Sequence, residues 1–119
     1  MKPCEVEGCK CAGQKHHIVF KSQGGLDIET NYKYLCIVHH SDGKAAVHNN
    51  REFDLRLKRD LQEWYYYLFQ AEEYTIEEIA AIIGYNKKRL EKKMKRVRQR
   101  AGKYGKEEII RFLMGGRLY

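Results

Sequence analysis

No apolar run in this chain approaches the roughly 20 residues that cross a bilayer. Its first residues also lack the apolar stretch, about 7 to 15 residues long, of a secretory leader. Both absences lead us to expect a soluble, cytoplasmic protein with no membrane partner. Cysteine and histidine do not occur after residue 48. Acidic residues are almost missing between positions 87 and 103, where Glu91 stands alone against ten lysines and arginines. No internal repeat or low-complexity linker stands out. With 119 residues, the chain can bury one modest core, or a compact metal-stapled unit followed by a small helical one. Two large domains are excluded.

What is present divides by position. All four cysteines (4, 9, 11 and 36) and all five histidines (16, 17, 39, 40 and 48) lie in the first 48 residues. Reduced cysteines mixed with histidines bind metal more often than they form disulfides. The formal net charge is +7, and the stretch from Lys87 to Lys103 alone exceeds it. A basic surface without an apolar anchor selects polyanions, so nucleic acid is the expected partner. The candidate contacts are Lys87, Lys88, Arg89, Lys92, Lys93, Arg96 and Arg100.

The pattern predicts an α+β chain with a boundary near residue 71. In residues 1–71, His17 to Phe20 and Tyr32 to Val38 are short β-type runs, with Gly24-Gly25 as a turn between them. Asn49 with Glu52 reads as a helix start. Phe53, Leu57, Leu61, Trp64 or Tyr65, and Leu68 then recur at helical spacing. In residues 72–119, Thr75 with Glu78 opens a second helix, which ends at Gly84, and Asn86 caps a third. Leu90, Met94 and Val97 supply the buried face of this third helix. Short helix, Gly-containing turn and basic helix form the pattern of a helix-turn-helix. A last helix, Lys106 to Met114, stops at Gly115-Gly116. The aromatic run Trp64 to Tyr67 wraps more than one helix face, so its outward rings are free to meet the C-terminal helices or a second subunit.

The strongest chemical signal is His16-His17, Asn31 and His40. Thirteen residues separate His17 from Asn31, and eight separate Asn31 from His40. The segment HHIVFKSQGGLDIETNYKYLCIVHH resembles the motif of HNH (ββα-metal) nucleases. The Gly-Gly after the first strand, the Asn before the second and the Leu-Cys at its end also match. The resemblance implies a ββα-metal hairpin-plus-helix that hydrolyses DNA phosphodiester bonds, by nicking or by double-strand cleavage. It makes His17 the general base, Asn31 the residue that orients it, and His40 a metal ligand at the start of the helix. His16 stands where the family often has a metal-binding aspartate. A site with two imidazoles tolerates Mn, Ni, Co or Zn better than an all-oxygen site, while Mg prefers oxygen. His48 is a third candidate ligand if the segment from Ser41 to Val47 folds back. Small proteins of this layout resemble those of phages and prophages, which implies packaging proteins as partners or a homing role. Double-strand cutting by a single site would call for a homodimer or two successive nicks.

Cys4, Cys9, Cys36 and His39 form a second constellation, suited to a tetrahedral structural zinc. Cys11 is an alternative to Cys9. A structural staple of this kind is useful in so small a chain. The competing reading is a zinc-stabilised DNA-binding regulator with no catalysis, against which stands the surplus of ligands. Nine cysteines and histidines exceed the four that one structural zinc needs. A nuclease acting on RNA is a third reading.

Overall fold

The computed structural model describes residues 2–41 and 46–119. Its elements run in the order β1 (Gln14–His17), β2 (Tyr32–Leu35), α1 (Ile37–His40), α2 (Arg51–Leu68), β3 (Glu73–Tyr74), α3 (Ile76–Ile83), α4 (Lys87–Lys93), β4 (Tyr104–Gly105) and α5 (Lys106–Leu113). The fold is α+β, with two antiparallel two-stranded sheets, β1–β2 and β3–β4. Among the described residues, no helix is long and apolar enough to cross a membrane.

The first hairpin pairs His16 with Lys33 and His17 with Tyr32. Its first strand ends at His17 instead of running from His17 to Phe20. Beyond His17 the Ile18 N–H still donates to the Asn31 carbonyl (2.8 Å), and from Val19 on one side chain takes over. The Val19 N–H donates to Asn31 Oδ1 (2.8 Å), and Asn31 Nδ2 donates to the Val19 and Leu26 carbonyls (both 3.0 Å). Asn31 is buried, so these bonds satisfy groups that would otherwise be stranded away from water. Gly25 is required where the loop closes, because a Cβ there would lie 1.8 Å from the Val19 carbonyl oxygen.

Helix α2 is capped by Asn50 rather than Asn49. The Phe53 N–H donates to Asn50 Oδ1 (3.1 Å), whereas Asn49 Nδ2 donates to the Ser41 carbonyl (3.0 Å). The helix buries Leu57, Leu61 and Tyr65, and leaves Trp64 outside. Each fully buried large apolar side chain contributes about 1.5–3 kcal/mol. The same buried face holds Lys58, 1% exposed, whose Nζ donates to both Asp54 oxygens (2.6 Å each).

In the C-terminal part, Thr75 and Glu78 form the expected capping box, Gly84 ends α3 at φ 69°, and Asn86 caps α4. Helix α4 stops at Lys93, well short of the basic stretch it was expected to cover. Ala101 (φ 52°) and Gly102 (φ 79°) make a left-handed turn, and Arg100 bridges to Lys103 across it. The chain thereby doubles back, and β4 pairs with β3, setting Tyr74 opposite Tyr104. Although no internal repeat stands out in the sequence alone, the pairing brings out a short one. Tyr74 and Tyr104 are each followed at the same interval by Glu-Glu-Ile, and Ile79 and Ile109 are both buried. Gly105 takes the place of the capping Thr75, and Glu108 lies so close over it that a Cβ would be 2.4 Å from its Oε2.

One cluster of buried side chains extends from Cys4 to Met114 and draws on both residues 1–71 and residues 72–119. Gln62 holds the backbone of Tyr119 by two hydrogen bonds, at 2.9 and 2.7 Å. Gly115 (φ 85°) lies against the loop after β1, where a Cβ would come within 2.3 Å of the Gln23 carbonyl oxygen.

Candidate metal centres

Helix α1 is a single turn, and it presents two consecutive histidines to two different clusters. His39 faces Cys4, Cys9 and Cys36, while His40 faces His16 and His48. In each cluster the ligand atoms all lie within 4.8 Å of one another.

In the first cluster, His39 Nδ1 lies 3.4 Å from Cys4 Sγ and 3.3 Å from Cys36 Sγ, and Cys9 Sγ lies 3.7 Å from Cys36 Sγ. A tetrahedron with bonds of about 2.3 Å to sulfur has edges of about 3.8 Å, so the spacing fits. Nearby backbone amides favour the thiolates: those of Cys36 and Val6 at Cys4, that of Cys11 at Cys9 and that of His39 at Cys36. The bond from His39 is the chief reason that the Cys36 thiol is brought down to about 6, where it ionises readily. Cys11 stands outside the cluster and is exposed. These four residues could hold a metal such as zinc.

The second cluster is built by the fold-back that follows α1. The Val47 N–H donates to the His39 carbonyl (2.8 Å), and the His48 N–H donates to that of His40 (3.2 Å), which carries His48 against His40. The segment expected to make this fold-back includes residues 42–45, which lie outside the described residues. His48 Nε2 and His40 Nε2 are 2.9 Å apart. Metal–nitrogen bonds of about 2.1 Å set neighbouring ligands about 3.0–3.4 Å apart, close to this spacing. His40 Nδ1 donates to Gln14 Oε1 (2.9 Å), which turns its Nε2 lone pair toward the cluster. The His16 ring lies 5.1 Å from each of the other two, and its Nε2 is a buried polar atom with no hydrogen-bond partner. An orphan of this kind is costly unless something accepts its lone pair. Burial, and then the neighbouring His40 and His48, bring the His16 imidazole down to about 3. It is therefore neutral and ready to coordinate at ordinary pH.

His17 lies beside this cluster on the other face of the strand. Its Nε2 contacts Asp27 Oδ1 at 2.6 Å, and the imidazole is the first reason that the Asp27 carboxyl sits below its usual range. Asn31, expected to orient His17 through an amide or backbone contact, hydrogen-bonds to the backbone of Val19 and Leu26, and the hydrogen-bond partner of the His17 imidazole is Asp27. His40, expected at the start of a long helix, closes the one-turn α1, and the long helix α2 begins only at Arg51.

No family model, curated protein or solved structure matches the chain.

The site therefore rests on its own geometry. Sequence reasoning missed Asp27, Gln14 and Lys58. An aspartate ten positions from a histidine carries no periodic signal, and a lysine at a helix-core position reads as solvated surface. The basic candidates Lys87, Lys88, Arg89, Lys92 and Lys93 are exposed along α4, and Arg96 and Arg100 are exposed in the segment after it. Lys87 is partly neutralised by Glu77, 2.8 Å away. Helices α3 and α4 pack together across the Gly84-Tyr85 turn.

Proposed function

We propose that this protein is a metal-dependent endonuclease that hydrolyses DNA phosphodiester bonds through a ββα-metal unit of the HNH type. The carrying observation is the convergence of His16, His40 and His48, with a buried, unpartnered His16 Nε2, next to the His17–Asp27 pair. The three imidazoles would hold an ion, which would supply positive charge for the phosphate and for the leaving oxygen. Such a nitrogen-rich set favours Mn, Co, Ni or Zn over Mg. His17 accepts the proton of the attacking water. When its Nε2–H donates to Asp27, the lone pair of Nδ1 is left free for that proton, and the carboxylate stabilises the imidazolium that results. The pleat of β1 points His16 and His17 to opposite sides of one strand, and Asn31 keeps the loop that follows it closed.

The Cys4, Cys9, Cys36 and His39 set serves as a structural zinc site in this reading. The exposed lysines and arginines of α4 and the segment after it bind duplex DNA through phosphates, giving salt-sensitive affinity with little sequence information. Supercoiled plasmid incubated with metal-stripped protein plus Mn, Co, Ni, Zn or Mg tests the proposal. The expected result is metal-dependent conversion to open-circular or linear DNA, lost in His17→Ala while DNA binding and the circular dichroism spectrum stay unchanged. Intact plasmid with every metal, or normal cleavage by His17→Ala, refutes it.

A further inference from the structure

Toward the helix start, Phe53, Arg56 and Asp60 of the outward face of α2 also line a cleft shared with Glu5, Glu7 and Lys33, while toward its C-terminal end that face is open. Trp64 and Tyr67 stack on it with ring centroids 5.2 Å apart, and they are 46% and 62% exposed. Toward the helix start the same face carries half-buried Phe53 and exposed Arg56, Asp60 and Glu63. Among the described residues, none of these three charges belongs to an ion pair. Positions 53, 56, 60, 63 and 67 alternate in steps of three and four, so they form one stripe along the helix. Read along the axis, that stripe is aromatic, positive, negative, negative, aromatic.

We infer that this stripe pairs antiparallel with the same stripe of a second copy of the chain, about a twofold axis passing Asp60. In that register Phe53 lies against the partner's Tyr67 and the partner's Trp64, while Arg56 lies against the partner's Glu63. The symmetry makes each contact twice. The two Asp60 carboxylates near the axis are compensated by the arginines flanking them, Arg56 and Arg59 of each chain. A parallel pairing would instead set Arg56 on its copy and Glu63 on its copy, and like charges so placed oppose association. Carboxylates at the middle of the stripe also disfavour DNA or an anionic membrane as its occupant, because both repel negative charge. Aromatic anchors around a matched charge pair are the usual composition of a protein interface.

The pairing is independent of the nuclease reading, and its test needs no cleavage. Trp64 is the chain's single tryptophan, so indole emission reports this face alone. Sedimentation equilibrium should show a monomer–dimer equilibrium. Dilution through it should shift the emission to the red and increase acrylamide quenching. Arg56→Glu should weaken the dimer about tenfold or more, as two attractive contacts become repulsive. Arg56→Glu combined with Glu63→Arg restores opposite charges across the axis and should recover the dimer to within about threefold of the native value. Both positions are exposed, so each variant keeps its fold, which circular dichroism checks. A monomer at every concentration, a dimer whose Trp64 emission does not change on dilution, or a double variant no tighter than the single one overturns the inference.

Discussion

His39 and His40 are neighbours in the chain, yet their rings serve different clusters: one with three sulfurs and one with two imidazoles. A one-turn helix achieves this because successive side chains leave it about 100° apart. The state of each histidine follows from what surrounds it. His16, buried among other imidazoles, is held near 3 against an ordinary 6.5, and His40 is lowered too, by burial and then by His48. Between those two pH values the unfolded chain binds protons that the folded chain refuses. Stability of the metal-stripped protein therefore rises as pH increases from about 3 to about 6.5, and this contribution is complete above that. Urea unfolding of chelated protein should give a higher midpoint at pH 7 than at pH 5, and a lower one would contradict the burial of His16. Asn31 supplies a second test at this scale. Asn31→Ala leaves the Val19 N–H and the Val19 and Leu26 carbonyls unsatisfied, and should cost about 2–4 kcal/mol in unfolding free energy. Loss of cleavage without loss of stability would instead make Asn31 a direct partner of the chemistry.

At the scale of elements, the hairpin is too short to stand alone, since a two-stranded sheet is marginal in water. Its outer end is tied to α1 by the cysteine cluster, with Cys4 and Cys9 before β1 and Cys36 as the cap of α1. Cys36→Ser should therefore lower the melting temperature and reduce its response to added zinc to the part that the histidine cluster contributes, whereas Cys11→Ser, at an exposed position outside the cluster, should leave both unchanged. Differential scanning calorimetry with and without zinc separates the two cases. Amphipathic spacing made α2, α3 and α5 legible in the sequence, and at α3 the caps did so as well, Thr75–Glu78 at its start and Gly84 at its end. The end of α4 was not, because lysine and arginine are good helix formers and the Ala101-Gly102 turn is embedded in a run of them. The pairing of β3 with β4 was hidden for another reason. Each strand has two residues, too few for any alternation to register.

Across the whole molecule, a single apolar core joins the half that carries the cysteines and histidines to the basic half. Gly115 packs on the loop that follows β1, and Gln62 clamps Tyr119. The C-terminal part thus buttresses the loop that carries Val19 and Phe20 away from the two histidines of β1. The members of both clusters were legible in the sequence, the cysteine set from residue type and spacing and His16 and His40 through the HNH resemblance, because metal chemistry restricts donors to a short list. Their supports were not. Asp27 and Gln14 act through contacts across 10 and 26 positions, and only the folded chain defines those contacts. The central claim is that consecutive histidines of α1 build two separate metal centres. Elemental analysis of stripped protein reconstituted with zinc and freed of excess ion tests it most directly. The account predicts two equivalents per chain in the native protein and one in the His16→Ala, His48→Ala double variant, with the thiolate centre intact by thiol titration. One equivalent in the native protein, or two in the variant, would contradict it.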